Sequence, residues 1–311
     1  MRIVVTGSIA YDYLMSFPGS FPEHFLPEHL DRLSLSFLVD TMEKRRGGCA
    51  PNIAYTLALL GERPVIMGAA GQDFGEYRAW LDAIGVDTSL IRQVPDKFTA
   101  SFFCSTDRHN NQIASFYTGA MAHAAELSFR GIGPCDLAIV SPNDPGAMTK
   151  YAAECRALGI RFIYDPGQQC ARSTPEELRD GIVGATILIC NDYELELIRQ
   201  KTGLHEADVL ATSEALVVTR GEKGSTVHLR DRRIDVPAVP PAREADPTGV
   251  GDAFRGGFMK GLALGAGYET CARMGSVAAT FALEHLGAQS HAFAWDSFVA
   301  RYEQAFGRLT T

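Results

Sequence analysis

From residue 136 onward, short unbroken apolar runs alternate with stretches of helical spacing, and few architectures accommodate that alternation. Asp136–Val140, Ile160–Tyr164, Thr186–Cys190 and Ala215–Thr219 read as strands. Pro145–Leu158, Pro175–Ile182 and Tyr193–Thr202, the last closed by Gly203, read as the helices between them. A strand that is apolar throughout is buried on both faces. The pattern therefore predicts an α/β fold, with a mostly parallel sheet covered by helices on each side. Ligands of such sheets bind beyond the carboxyl ends of the strands, where Asp165, Asn191 and Thr219 fall.

The first 120 residues follow another pattern. Arg2–Thr6 reads as a further strand of the main sheet and Ala50–Leu60 as a helix ended by Gly61. Tyr11–Phe17, Leu33–Val39, Thr99–Ser105 and Gln112–Tyr117 read as four short strands, the last two flanking the polar Asp107–Asn111. They form either a small separate sheet or an extension of the main one, and periodicity does not decide between these.

Composition removes several classes of function. Lys plus Arg is 29 and Asp plus Glu is 37, a formal charge of −8, which argues against a nucleic-acid-binding surface. No apolar run approaches the length of a membrane span, and Met1 leads directly into a strand without a signal peptide. The seven cysteines are scattered, with no C-x-x-C spacing, and read as reduced thiols of a cytoplasmic protein.

The chemistry concentrates in Asp246–Phe258. Gly249, Val250 and Gly251 lead into Asp252, and an apolar, Gly-spaced helix follows. A helix start offers unpaired N–H groups and the positive end of a dipole, which suits an anion. Asp252 in the same turn is placed to take a proton from a nucleophile attacking a bound phosphate. Taken alone, Asp252 reads as an ordinary helix-start acid, and the two glycines just before it shift the reading toward a ligand site. Other candidates carry similar alternatives. Asn191 and Glu194 have the spacing of a helix cap. Gly221–Gly224 has the look of a hairpin turn, and no Walker A or dinucleotide-binding glycine pattern is present. Gly47–Asn52 reads as a glycine turn before a helix, Asp12 as a surface acid, and Phe102 and Phe116 as core residues of adjacent strands.

Taken together, these segments resemble the ribokinase-like (PfkB) family of carbohydrate and nucleoside kinases. Asp246-Pro-Thr-Gly-Val-Gly-Asp252 is similar to the family's Asp-Thr-x-Gly-Ala-Gly-Asp motif, with Pro247 and Val250 as departures. Asn191-Asp-Tyr-Glu194 resembles its Asn-x-x-Glu motif and Gly47-Gly-Cys-Ala-Pro-Asn52 its Gly-Gly-x-x-x-Asn motif. Ser34–Val39, Gln112–Tyr117 and Asp165–Gln169 look like the bacterial adenosine kinase subgroup, from which Cys49 and Pro51 depart.

The resemblance implies one ribokinase-like α/β domain over 1–311, with a discontinuous β lid from about 11–45 and 97–120. It implies an ATP-dependent nucleoside 5′-kinase, adenosine being the expected acceptor. Asp252 is the general base, with Gly249, Val250 and Gly251 as the anion hole. Ser8, Asp12, Ser36, Gly48 and Asn52 contact the nucleoside, Phe102 and Phe116 sandwich the base, and Gln168 and Gln169 lie nearby. Asn191, Thr219, Arg220, Gly221, Glu222, Lys223, Gly224 and Gly251 contact ATP. Asn191 and Glu194 organise Mg²⁺ through water. A K⁺ site near Asp246, Thr248 and the 284–289 loop, and a homodimer through the lid, follow by analogy. The rivals are a kinase of broad nucleoside range (inosine, guanosine or cytidine), a ribose or fructose kinase, and a catalytically silent nucleotide binder.

Overall fold

The computed structural model describes residues 1–25, 32 and 34–310. Among these, the strands form two sheets. The larger contains β1 (Ile3–Thr6), β4 (Val65–Gly71), β5 (Asp87–Val94), β8 (Leu137–Val140), β9 (Arg161–Tyr164), β10 (Ile187–Asn191), β11 (Ala215–Thr219), β12 (Ser225–His228) and β13 (Arg233–Val236). Their order is β13-β12-β11-β10-β9-β8-β1-β4-β5. Pairing is parallel from β11 to β5 and antiparallel only at the β11–β12–β13 edge. The central strands β1 and β8 are buried at every position, as their unbroken apolar runs require.

Helices cover both faces. On one side α1 (Cys49–Leu59), α7 (Val250–Ala263) and α8 (Tyr268–Leu283) pack on a core that includes Ile3, Val5, Ile53, Phe254 and Phe258. On the other, α3 (Pro145–Leu158) and α4 (Pro175–Ile182) pack on Val4, Val140, Phe162 and Leu188. The glycine spacing of α7 serves its contact with α8. A Cβ on Gly257 would stand 2.5 Å from the Met274 carbonyl oxygen, so only glycine permits this approach.

The second sheet has the order β3-β2-β6-β7, with β2 (Ala10–Ser16), β3 (Thr41–Gly47), β6 (Ala100–Thr106) and β7 (Gln112–Tyr117). The small sheet is thus separate, and the alternative of an extended main sheet falls. Asp107 ties its far end together: its carboxylate accepts from the N–H groups of Phe21, His109 and Asn111.

One strand differs from the sequence reading. Residues 34–39 are not a strand, and Leu33 lies outside the described residues. Phe37 turns instead into an aromatic cluster with Phe17 and Phe21, at ring separations of 5.0 and 4.9 Å. The strand beside β2 is the charged Thr41–Gly47, which lacks an apolar alternation. Its basic side chains cover aromatic faces: Lys44 lies 3.8 Å from the Tyr11 ring centre and Arg46 4.0 Å from that of Trp80.

Candidate functional site

The cleft between the two sheets holds a pair of adjoining cavities. The first, about 510 Å³, lies under the small sheet. Asp12 pairs in register with Arg45 on one side and Phe102 on the other, and Phe102 pairs with Phe116. These four residues form one row across the sheet, so their side chains leave the same face. Asp12, Phe102 and Phe116 line the cavity from that face. Phe102 and Phe116 therefore stand side by side as one wall, where the sequence reading placed them on opposite faces of a base. Burial pushes the Asp12 carboxyl up to about 6, against the pull of Arg45.

The opposite wall is built where the segment after β1 meets the start of α1, which follows β3. Gly48 caps that helix with φ 96°, and a Cβ there would stand 2.5 Å from the Ser8 carbonyl oxygen. The Ser8 hydroxyl accepts from the Cys49 N–H at 3.1 Å. Ser8, Gly48 and Asn52 line this side, and Gln168, Gln169 and Arg172 close the end from the turn after β9. Gln169 is anchored by donating to the Asn143 carbonyl at 2.7 Å.

The second cavity, about 320 Å³, lies over the strand ends. Cys49, Asn52, Pro142 and Gln168 belong to the walls of both. Gly249, Gly251 and Asp252 form its floor at the start of α7. Gly249 caps that helix with φ 77°, and a Cβ there would meet the Ala288 Cβ at 2.4 Å. The Val250 N–H turns to the Pro247 carbonyl at 3.3 Å. Asp252 accepts from the Asn52 amide at 2.8 Å. Burial pushes its carboxyl up to about 7; Arg255 and Asn52 pull it down, while Asp165 and Glu194 add to the rise.

Asn191 and Glu194 enter this cavity already engaged with each other. The Asn191 N–H donates to Glu194 Oε2 at 2.8 Å and the Glu194 N–H to Asn191 Oδ1 at 2.7 Å. The capping reading is therefore correct, and among the described residues Glu194 Oε1 has no hydrogen-bond partner. Burial, with Asp165 beside it, raises the Glu194 carboxyl. Among the described residues no group of three or more His, Cys, Asp and Glu side chains gathers as a metal cage. One free carboxylate oxygen and an amide suit a hydrated Mg²⁺ held through water.

Several expected residues lie apart. Ser36 is exposed and lines neither cavity. Thr219 lines the second cavity, but Arg220–Gly224 form a tight turn between β11 and β12 outside its walls. Arg220 donates to Asp235 at 3.0 Å. Asp246 accepts from the N–H groups of Thr248 and Gly287, both at 2.9 Å, and faces Arg45 at 3.4 Å.

Two participants were not read from the sequence. Arg255, one turn beyond Asp252, is buried and donates to Asp165 at 2.5 Å and to the Gly251 carbonyl at 2.9 Å. Burial pushes the Asp165 carboxyl up, and Arg255 opposes it. A lone arginine in an apolar, Gly-spaced helix was the available signal, since a charge in such a setting needs a partner. Gln289, buried behind Asn52, gave no signal in the sequence.

Residues 5–294 match the pattern of the pfkB family carbohydrate kinases. A nucleoside kinase of Methanothermobacter thermautotrophicus is 31% identical over 98% of this chain and 96% of its own length. One from Methanocaldococcus jannaschii is 29% identical over 97% of each. The solved structure of a Burkholderia thailandensis nucleoside kinase in complex with inosine superposes with a TM-score of 0.88, at 39% identity and 98% coverage of both chains. The same Burkholderia protein with ADP-inosine gives a TM-score of 0.86 at 40% identity, covering 98% of this chain and 96% of that one.

Proposed function

This chain belongs to the pfkB family of carbohydrate kinases, and on that premise we propose that it transfers the γ-phosphoryl group of ATP to the 5′ hydroxyl of a nucleoside. The observation that carries this reading is the pair of cavities joined through Asn52 and Gln168, with Asp252 in one and Asp12, Phe102 and Phe116 in the other. A cavity near 510 Å³ is in the range of roughly 300–1,000 Å³ that encloses drug-sized ligands, and a free pentose does not need its aromatic wall.

In this reading the ribose lies against Asp12, Ser8, Gly48 and Asn52. The base lies along the faces of Phe102 and Phe116, with Gln168 and Gln169 at its edge. ATP lies over the strand ends, its phosphates toward Asn191 and Thr219 and its remainder toward the 220–224 turn. Asp252 accepts the 5′ proton as the new O5′–P bond forms and the bond from the γ-phosphorus to the ADP oxygen breaks. The N–H groups of Gly249 and Gly251 face the charge on the transferring group, while the Val250 N–H, expected beside them, is taken by the Pro247 carbonyl. Positioning and electrostatics supply most of the rate in such a transfer. Asn191 and Glu194 would hold Mg²⁺ through water, and the ion supplies neutralisation of phosphate charge. The K⁺ expectation has weaker support, because Asp246 is already balanced by Arg45 and two N–H groups. A cytoplasmic location, a role in purine salvage and a homodimer through the small sheet acting as a lid belong to the same proposal. Among the described residues no helix is long and apolar enough to cross a membrane.

We take the acceptor to be a nucleoside broadly, with adenosine one of its forms. Inosine bound to the similar Burkholderia protein favours this over an adenosine-only enzyme. The test is ADP formation with adenosine, inosine, guanosine, cytidine, ribose and fructose. We expect several nucleosides to exceed both sugars in kcat/KM. Ribose or fructose outperforming every nucleoside would overturn the proposal, and turnover of adenosine alone would restore the narrower one.

A further inference from the structure

We propose that Gln289 is a positioning residue that fixes the Asn52 amide so that it offers Asp252 a donor and never an acceptor. The inference rests on the reading of Asp252 as the proton acceptor. Four hydrogen bonds carry it. The Tyr77 hydroxyl donates to the Gly47 carbonyl at 3.0 Å. Gln289 Nε2 donates to the Tyr77 oxygen and to Asn52 Oδ1, both at 2.6 Å. Asn52 Nδ2 donates to Asp252 Oδ2 at 2.8 Å. Tyr77, Gln289 and Asn52 are each more than nine-tenths buried, so these bonds are largely shielded from water.

The direction of the chain follows from its end. A backbone carbonyl only accepts, so Gly47 claims the Tyr77 proton. The Tyr77 oxygen then accepts, which turns the Gln289 amide nitrogen toward it. The same nitrogen reaches Asn52, which must present its oxygen there and its nitrogen to Asp252. The opposite orientation of Gln289 would let Asn52 donate to Gln289 and turn its oxygen to accept from a protonated Asp252. The observed orientation leaves Gln289 Oε1 buried without a partner among the described residues, a cost that calls for a compensating role. The arrangement resists protonation of Asp252, because the Asn52 N–H bonds the ionised carboxylate more strongly than the neutral carboxyl. It acts beside the charged and titratable groups that also face Asp252: Arg255 on its own helix, Asp165 after β9, Glu194 on the helix after β10, and Cys49 on α1.

The test measures kcat and KM against pH for the wild type, Gln289→Met and Tyr77→Phe, with Asp252→Asn as a control. Losing the oriented donor should move the acid limb of kcat about one unit upward in Gln289→Met. That is about a tenfold loss of turnover below the limb, with nucleoside and ATP KM values within about twofold. Tyr77→Phe keeps the ring and should move the limb in the same direction by less. An unmoved limb in both variants, or a rise in KM that matches the fall in kcat, would overturn the positioning role. If Asp252→Asn turns over normally, the proton-acceptor reading itself fails. If that variant is inactive while the limb stays unmoved in both of the others, only the role of Gln289 fails.

Discussion

Arg255 and Asp165 form the most deeply buried charge pair in the site, and neither can lose the other cheaply. Asp165→Asn would leave the buried guanidinium without its hydrogen-bonded countercharge, a change that costs about 3–5 kcal/mol. Denaturant unfolding of that variant should show a loss of this size; one below 1 kcal/mol would mean that the pair is solvated. The pair also explains what could and could not be read from the sequence at this scale. Asp252 stood out because two glycines and a helix start surround it. Arg255 could not be paired, because its partner lies 90 positions away at the end of another strand. Asn52 was read as a sugar ligand, and the structure adds that both ends of its amide are already held by protein, by Gln289 and by Asp252.

Among elements, one row across the small sheet brings Asp12, Phe102 and Phe116 to the same cavity, and under the proposed reading this sheet selects the acceptor. In the proposed pose, truncating either ring removes base contact and leaves the sugar contacts. Phe102→Ala and Phe116→Ala should therefore raise KM for adenosine several-fold, base stacking being worth about 1–3 kcal/mol, and change KM for ribose little. Steady-state kinetics with both acceptors checks this, and equal effects would argue against stacking. The parallel strands were legible because burial on both faces leaves only apolar residues. The strand at Thr41–Gly47 was not, because its stabilisation comes from backbone pairing and from the stems of Lys44 and Arg46 over aromatic rings. The neighbouring apolar residues looked more strand-like, yet Phe37 spends its ring on a local cluster.

On the scale of the whole molecule, two sheets meet at the two cavities, so a ligand in the cleft contacts both. A nucleoside that binds only the folded state should stabilise the protein by about 2.7 kcal/mol at a hundred times its Kd. Thermal unfolding with adenosine or inosine should rise accordingly, and ribose at equal concentration should do less. An equal rise with ribose would point to a sugar site alone. The order of the nine strands was not legible beyond the alternation, since sequence periodicity carries no information about which strands are neighbours. The shared wall of the cavities has a further consequence. Cys49, Asn52, Pro142 and Gln168 line both cavities, so under the proposed reading acceptor and donor would occupy neighbouring rooms. A single compound joining a nucleoside to a polyphosphate through its 5′ carbon would occupy both rooms and lose its translational freedom only once. The architecture that brings two substrates together therefore also defines the outline of a bisubstrate inhibitor.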